Sequence, residues 1–107
     1  MRLRSIAHAR SGDKGTTANI ALIAYDQRDY ARLAAEVTAE RVKAWFSELV
    51  AGDVHRYELP HIGALNFVLF GVIGGGVTRT LALDPHGKSL SSALLEMEIP
   101  DASSSAS

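Results

Sequence analysis

The chain has 107 residues, 47% of them hydrophobic and 21% charged, which is the size and balance of one globular domain and too apolar for a chain that stays disordered. Eleven Lys and Arg against twelve Asp and Glu leave a formal charge of -1, so no cationic excess exists to neutralise a phosphate backbone or an anionic lipid surface, and neither nucleic acid nor membrane is an expected partner. Cysteine is absent, which excludes a disulfide framework, a thiolate nucleophile and a Cys-based zinc or iron–sulfur site.

No apolar h-region follows Arg2 and Arg4, and nowhere do about eighteen apolar residues run together. Neither an export signal nor a membrane span is expected, and the cytoplasm is the expected compartment. A catalytic cleft carved from so small a core is costly in stability, which favours a site shared with a partner subunit.

In chain order, residues 2–9 read as an extended segment, with Leu3, Ser5 and Ala7 on one side and Arg4, Ile6 and His8 on the other. Residues 10–17, Arg-Ser-Gly-Asp-Lys-Gly-Thr-Thr, are turn formers and small polar residues and predict a loop. Residues 19–25 are apolar on both alternating sides, which suits a central strand, with a short buried helix as the alternative. Asp26 is a fitting N-cap for a helix to about Glu36, its apolar side made by Tyr30, Leu33, Ala34 and Val37. Thr38 caps a second helix in which Val42, Trp45, Phe46, Leu49 and Val50 form one stripe, so Trp45 and Phe46 read as core and Gly52 as the left-handed stop.

Residues 54–59 predict a strand ended by Pro60, and residues 63–70 an apolar helical turn or two before Gly71. The triple glycine Gly74-Gly75-Gly76 breaks regular structure, and residues 77–83 resume with the β-branched alternation of a strand. Residues 84–88 read as a turn and 89–93 as a short helix. Leu95, Met97 and Ile99 then alternate with Glu96 and Glu98 as in a half-buried strand. One domain over residues 1–100 and a disordered Ser-rich tail over 101–107 are expected. The element pattern predicts an α+β fold, a ferredoxin-like sandwich with helices on one face of a mostly antiparallel sheet.

The stretch from Arg10 to Asn19 is the strongest candidate for chemistry. Gly12 and Gly15 free the backbone to present N–H groups, and Arg10 and Lys14 add positive charge, which together suit a carboxylate or phosphate. The same residues also suit a tight turn in which Asp13 and Thr16 bond backbone donors. Lys14 precedes Gly15 and Asp13 follows Gly12 at once, an order that does not fit a Walker loop. If residues 77–83 form a strand, Arg79 shares the side of Val77, Leu81 and Leu83; it then either emerges at the sheet end to hold an anion or pairs internally with a carboxylate. Asn66, alone in an apolar run, needs partners from the backbone or from a ligand. His8, His55, His61 and His86 show no metal-binding spacing, and no cofactor is expected. Ser11 sits in no nucleophile elbow.

Ala9-Arg10-Ser11-Gly12-Asp13-Lys14-Gly15 with Ala18-Asn19-Ile20, then Tyr57-Glu58-Leu59-Pro60 leading to Gly63-Ala64-Leu65-Asn66-Phe67, then Gly74-Gly75-Gly76-Val77-Thr78-Arg79-Thr80, together resemble one family, the AtuA-like ferredoxin-fold domain. The resemblance covers about residues 2–99. It implies a ferredoxin-like fold that occurs either behind a larger AtuA-type domain or as a separate small protein. The family is named for acyclic terpene utilisation, a degradative route through acyl-CoA thioesters, and the name implies no particular reaction for the small domain.

The resulting expectation is an accessory domain or subunit, associated with a larger AtuA-type protein in acyl-CoA or terpenoid-type catabolism, with glycine-rich loops forming an anion site. Its expected ligand-binding residues are Arg10, Ser11, Gly12, Asp13, Lys14, Gly15, Asn19, Asn66, Gly75, Gly76 and Arg79. The alternatives are an oligomerising scaffold without a ligand, or an autonomous acyl-CoA hydratase or lyase with His8 or Asp13 as general acid/base and Arg79 holding a carboxylate. Self-association is expected under all three readings, because the exposed sheet edges of a small domain need covering.

Overall fold

Alternating burial along two central strands organises the architecture. The computed structural model describes residues 1–72 and 90–100. Within them four strands, β1 (Ala7–Lys14), β2 (Thr17–Ala24), β3 (Val54–Leu59) and β4 (Ala64–Leu69), form one sheet in the order β1-β2-β4-β3, antiparallel at every step. Ala18, Ile20 and Leu22 of β2 stand opposite Leu69, Phe67 and Leu65 of β4, and all six are buried. The residues between them, Asn19, Ala21, Asn66 and Val68, face the other way and keep solvent exposure. A period of two with one apolar set is the signature of a sheet covered on one side.

The cover is helical. Asp26 accepts a hydrogen bond from the Arg28 N–H at 2.9 Å, opening a 3-10 turn (Gln27–Asp29) that runs into α1 (Tyr30–Glu36). Thr38 Oγ1 accepts from the Arg41 N–H at 3.1 Å and caps α2 (Ala39–Trp45). A short third helix, α3 (Leu90–Leu94), lies against β1 and β2. Leu33, Val37, Val42, Phe46, Leu90 and Leu94 join the inward residues of the sheet in one core cluster. Arg56 on β3 fixes the edge of this layer by donating to the carbonyls of Ala34 at 2.6 Å and Val37 at 3.1 Å, groups that the end of α1 would otherwise leave without partners. Residues near the two ends of the described chain are also tied together. The Met1 ammonium donates to the Ile99 carbonyl at 2.7 Å, and the Ile99 N–H returns to the Met1 carbonyl at 2.8 Å.

The helices cross from β2 to the parallel β3, with β4 inserted between these strands, which is the split βαβ unit of the ferredoxin-like α+β class. The expected fold class therefore stands, while several local readings change. Residues 10–17 form no loop: they are the outer half of a hairpin, turned by Gly15 and Thr16. Residues 63–70 hold strand β4 instead of a helical turn, because this segment fills the middle of the sheet, where a continuous apolar run hides the period of two. The second helix stops at Trp45, and Trp45 is 44% exposed, outside the core, its indole N–H bonded to the Ala93 carbonyl at 3.0 Å. Gly52 is not a left-handed stop. A Cβ there would come within 2.7 Å of the Phe70 carbonyl oxygen, so glycine serves a close backbone approach. Leu3–Ser5 form a 3-10 turn before β1, and the closing segment joins the N-terminus through an isolated Arg2–Glu98 bridge in place of a full strand. The strand expected at 77–83, the turn at 84–88 and the tail at 101–107 lie outside the described residues.

Thr38→Ala removes the cap of α2 and is expected to lower stability by about 1 kcal/mol, measured by urea unfolding. The hydrogen bonds from Arg28 hold the Asp26 carboxyl down at about 2 from its ordinary 3.8. A depressed carboxyl stabilises the fold above its unfolded value and loses that contribution as the pH falls toward the folded one. Asp26→Asn is therefore expected to flatten the loss of stability between those two pH values in acid-unfolding curves.

Candidate functional site

Strand alternation sorts the expected ligand residues onto two sides of the sheet. Ser11 turns toward the helices: its Oγ donates to Ser91 Oγ at 3.2 Å and accepts from the Ser91 N–H at 3.3 Å, pinning the first turn of α3 to β1. Its hydroxyl is thus engaged on the helix side of the sheet. Asp13 stands opposite Ala18 in the hairpin. Gly15, with φ of 64°, opens the two-residue turn, and Thr16 after it does not have positive φ, the pattern of a hairpin turn with glycine at its first central position. The β1–β2 ladder runs from Ala7 to Lys14 without interruption, so this stretch offers side chains on a flat strand in place of a loop wrapped around an anion.

The residues on the helix-free side form rows. Arg10, Ala21, Asn66 and Tyr57 stand opposite one another across all four strands, and Gly12, Asn19, Val68 and His55 make the next row. Lys14 follows on β1, opposite Thr17. Arg10 and Lys14 thus flank Gly12 two residues to either side, each about 7 Å away along the strand. Gly12 is a dimple between them. Asn19 leans across it, its Oδ1 only 3.3 Å from where a Cβ on Gly12 would lie.

Among the described residues no strand position on this face carries a carboxylate. Arg10 and Lys14 make no ion pair with any described residue, whereas Arg2, Arg4, Arg28, Arg41, Lys43 and Arg56 all do. Two cations and two amides, Asn19 and Asn66, therefore share one face with no counter-ion among the described residues, an arrangement suited to a carboxylate or phosphate. Aromatic groups border the patch. His8 stacks on Tyr25 with ring centres 5.2 Å apart, and His55 meets Phe70 edge-on at 5.2 Å.

Of the residues expected to bind a ligand, Arg10, Gly12, Lys14, Asn19 and Asn66 share this face, Ser11 leaves it, and Gly15 shapes its end. Gly74, Gly75, Gly76 and Arg79 lie outside the described residues. Sequence reasoning gave no role to Tyr57, His55 or Ala21, although the correctly placed strand at 54–59 carried the alternation that puts Tyr57 and His55 together. Among the described residues no three His, Cys, Asp or Glu side chains gather as a metal site, and no helix is long and apolar enough to cross a membrane.

These features define a ferredoxin-like α+β domain with helices on one sheet face and, on the other, a cation-bearing face that no helix covers among the described residues. Residues 1–100 match the family model for the AtuA ferredoxin-like domain, and the chain belongs to that family. Neither curated proteins nor solved structures give a match.

Ser11→Ala is expected to lower stability by about 1 kcal/mol through the lost bonds to Ser91, read by thermal unfolding. The same variant is expected to leave anion binding at the wild-type level.

Proposed function

We propose that the domain is an accessory binding module, working with a larger AtuA-type protein on acyl-CoA or related carboxylated metabolites, and that its helix-free face holds the anionic group of the ligand. The carrying observation is the position of Arg10 and Lys14 on either side of Gly12, with Asn19 across it, on a face whose strands bear no carboxylate. Over Gly12 the strand itself contributes no side chain, and the Asn19 amide, whose oxygen lies across the dimple, turns its NH2 group toward an anion that settles there. Arg10 offers a planar fork to a carboxylate or phosphate, and Lys14 adds a mobile point charge. Asn66, one row away, gives a donor and an acceptor to the body of the ligand. The family supports the connection to acyl-CoA chemistry only through its name.

The test is an amide-shift titration by NMR with inorganic phosphate and with acetate. Saturable shifts are expected at the Gly12 and Asn19 amides, and Arg10→Gln and Lys14→Gln are each expected to weaken binding about tenfold, the worth of one charge-assisted hydrogen bond. Shifts that bypass these amides, or variants that bind as tightly as the wild type, overturn the reading.

A further inference from the structure

The helix-free face has a second property that an anion site does not require: it is complementary to itself. The strand order β1-β2-β4-β3 places the cation Arg10 at one end of its row and the ring of Tyr57 at the other, with Ala21 and Asn66 between. A twofold axis lying along the strands between β2 and β4 reverses each row onto itself. Arg10 then meets Tyr57 of the second copy, and Ala21 meets Asn66. In the next row Gly12 meets His55 and Asn19 meets Val68. Small residues face larger ones at each position where bulk matters, and the unpaired guanidinium faces an aromatic ring instead of another cation.

We infer that two copies of this chain pair face to face about that axis, so that Tyr57 of each stacks on Arg10 of the other and His55 closes over the Gly12 dimple. The part of this inference that concerns a ligand rests on the anion site proposed above; the pairing itself does not.

The exposed apolar surface points the same way. Among the described residues six large hydrophobics are exposed, and five of them, Tyr25, Tyr57, Leu59, Ile62 and Phe70, lie on this face or on its rim, with only Trp45 elsewhere. Clustering of this kind marks an interaction surface. The absence of strand carboxylates disfavours a cationic partner, while a guanidinium is well served by a ring: it stacks through its face and keeps its N–H edge free for an anion. Four strands by six residues give about 400 Å² of flat face per copy, and the rim aromatics bring the pair toward the lower end of specific interfaces, about 1,200 Å² in all. Aligned sheets cross at about 30°, which loosens the match at the corners and keeps it at the two central rows. In the neighbouring row Ala64 is already buried, and contact there falls to the exposed Leu59 at the end of the row. Each pair would contain two equivalent dimples, lined by Arg10, Lys14 and Asn19 of one copy and His55 of the other.

Sedimentation equilibrium over the micromolar to millimolar range tests the pairing. Wild-type protein is expected to approach twice its monomer mass as concentration rises. Ala21→Arg, at the centre of the face and outside the anion site, is expected to weaken association at least tenfold while its unfolding midpoint stays near wild type. Val68→Lys serves the same purpose if Ala21→Arg does not fold. Arg10→Glu is expected to separate the copies, and adding Tyr57→Lys to the same chain to restore them, because opposite charges then face each other across the axis. A wild-type chain that stays monomeric throughout, a dimer indifferent to the central substitutions, or a double variant no better than Arg10→Glu overturns the inference. Phosphate binding by a monomeric chain would leave the anion reading standing without the pair, and pairing without phosphate binding would leave the pair standing without the site.

Discussion

Everything on the helix-free face depends on the register between β2 and β4. Ile20 opposite Phe67 and Leu22 opposite Leu65 build the floor on which all three helices rest. Because strand side chains alternate, a slip of one residue in either strand would drive Asn19 and Ala21, or Asn66 and Val68, into the helical layer and expel the apolar set. Burying an amide without partners there costs more than the core can absorb in so small a domain. The register that secures the core therefore also determines which polar groups remain outside, and the candidate site is the complement of the core.

The parts of this architecture that were legible in the sequence are those set by local chemistry. Asp26 and Thr38 cap their helical segments because a short oxygen-bearing side chain before an apolar stripe does so wherever it occurs. The strand at 54–59 announces itself by the Pro60 that ends it. The hairpin at 10–17 did not, because its Ser, Gly, Asp and Lys content is that of a loop, and only pairing with the apolar β2 makes it a strand. Strand β4 was hidden for the opposite reason: its apolar run suits a buried helix equally well, and the sheet around it decides. Trp45 follows the apolar stripe of α2, but the helix ends at that residue and the indole spends its N–H on the Ala93 carbonyl at the surface.

Of the residues singled out for binding, Arg10, Lys14, Asn19 and Asn66 do come together, by a mechanism different from the expected one. A loop would have gathered them through backbone curvature, whereas here they meet because even-spaced positions on adjacent antiparallel strands share a side. The same rule removes Ser11, one residue from Arg10, to the far side of the sheet, where it holds Ser91. Glycine acts in three separate ways: Gly15 permits a turn, Gly52 permits a close backbone approach, and Gly12 leaves a vacancy on a surface otherwise lined by side chains.

The reciprocal bonds between Met1 and Ile99 bring the two ends of the domain side by side. Domains whose ends adjoin tolerate being rejoined there and opened elsewhere. Sewn from Ile99 to Met1 and cut between Gly15 and Thr16, this chain would carry its described elements as β2, helices, β3, β4, helix, β1, which is the ordinary βαββαβ sequence of ferredoxin-like proteins. The described elements are thus arranged as a circular permutation of that familiar order, with the opening strand taking the place usually held by the last.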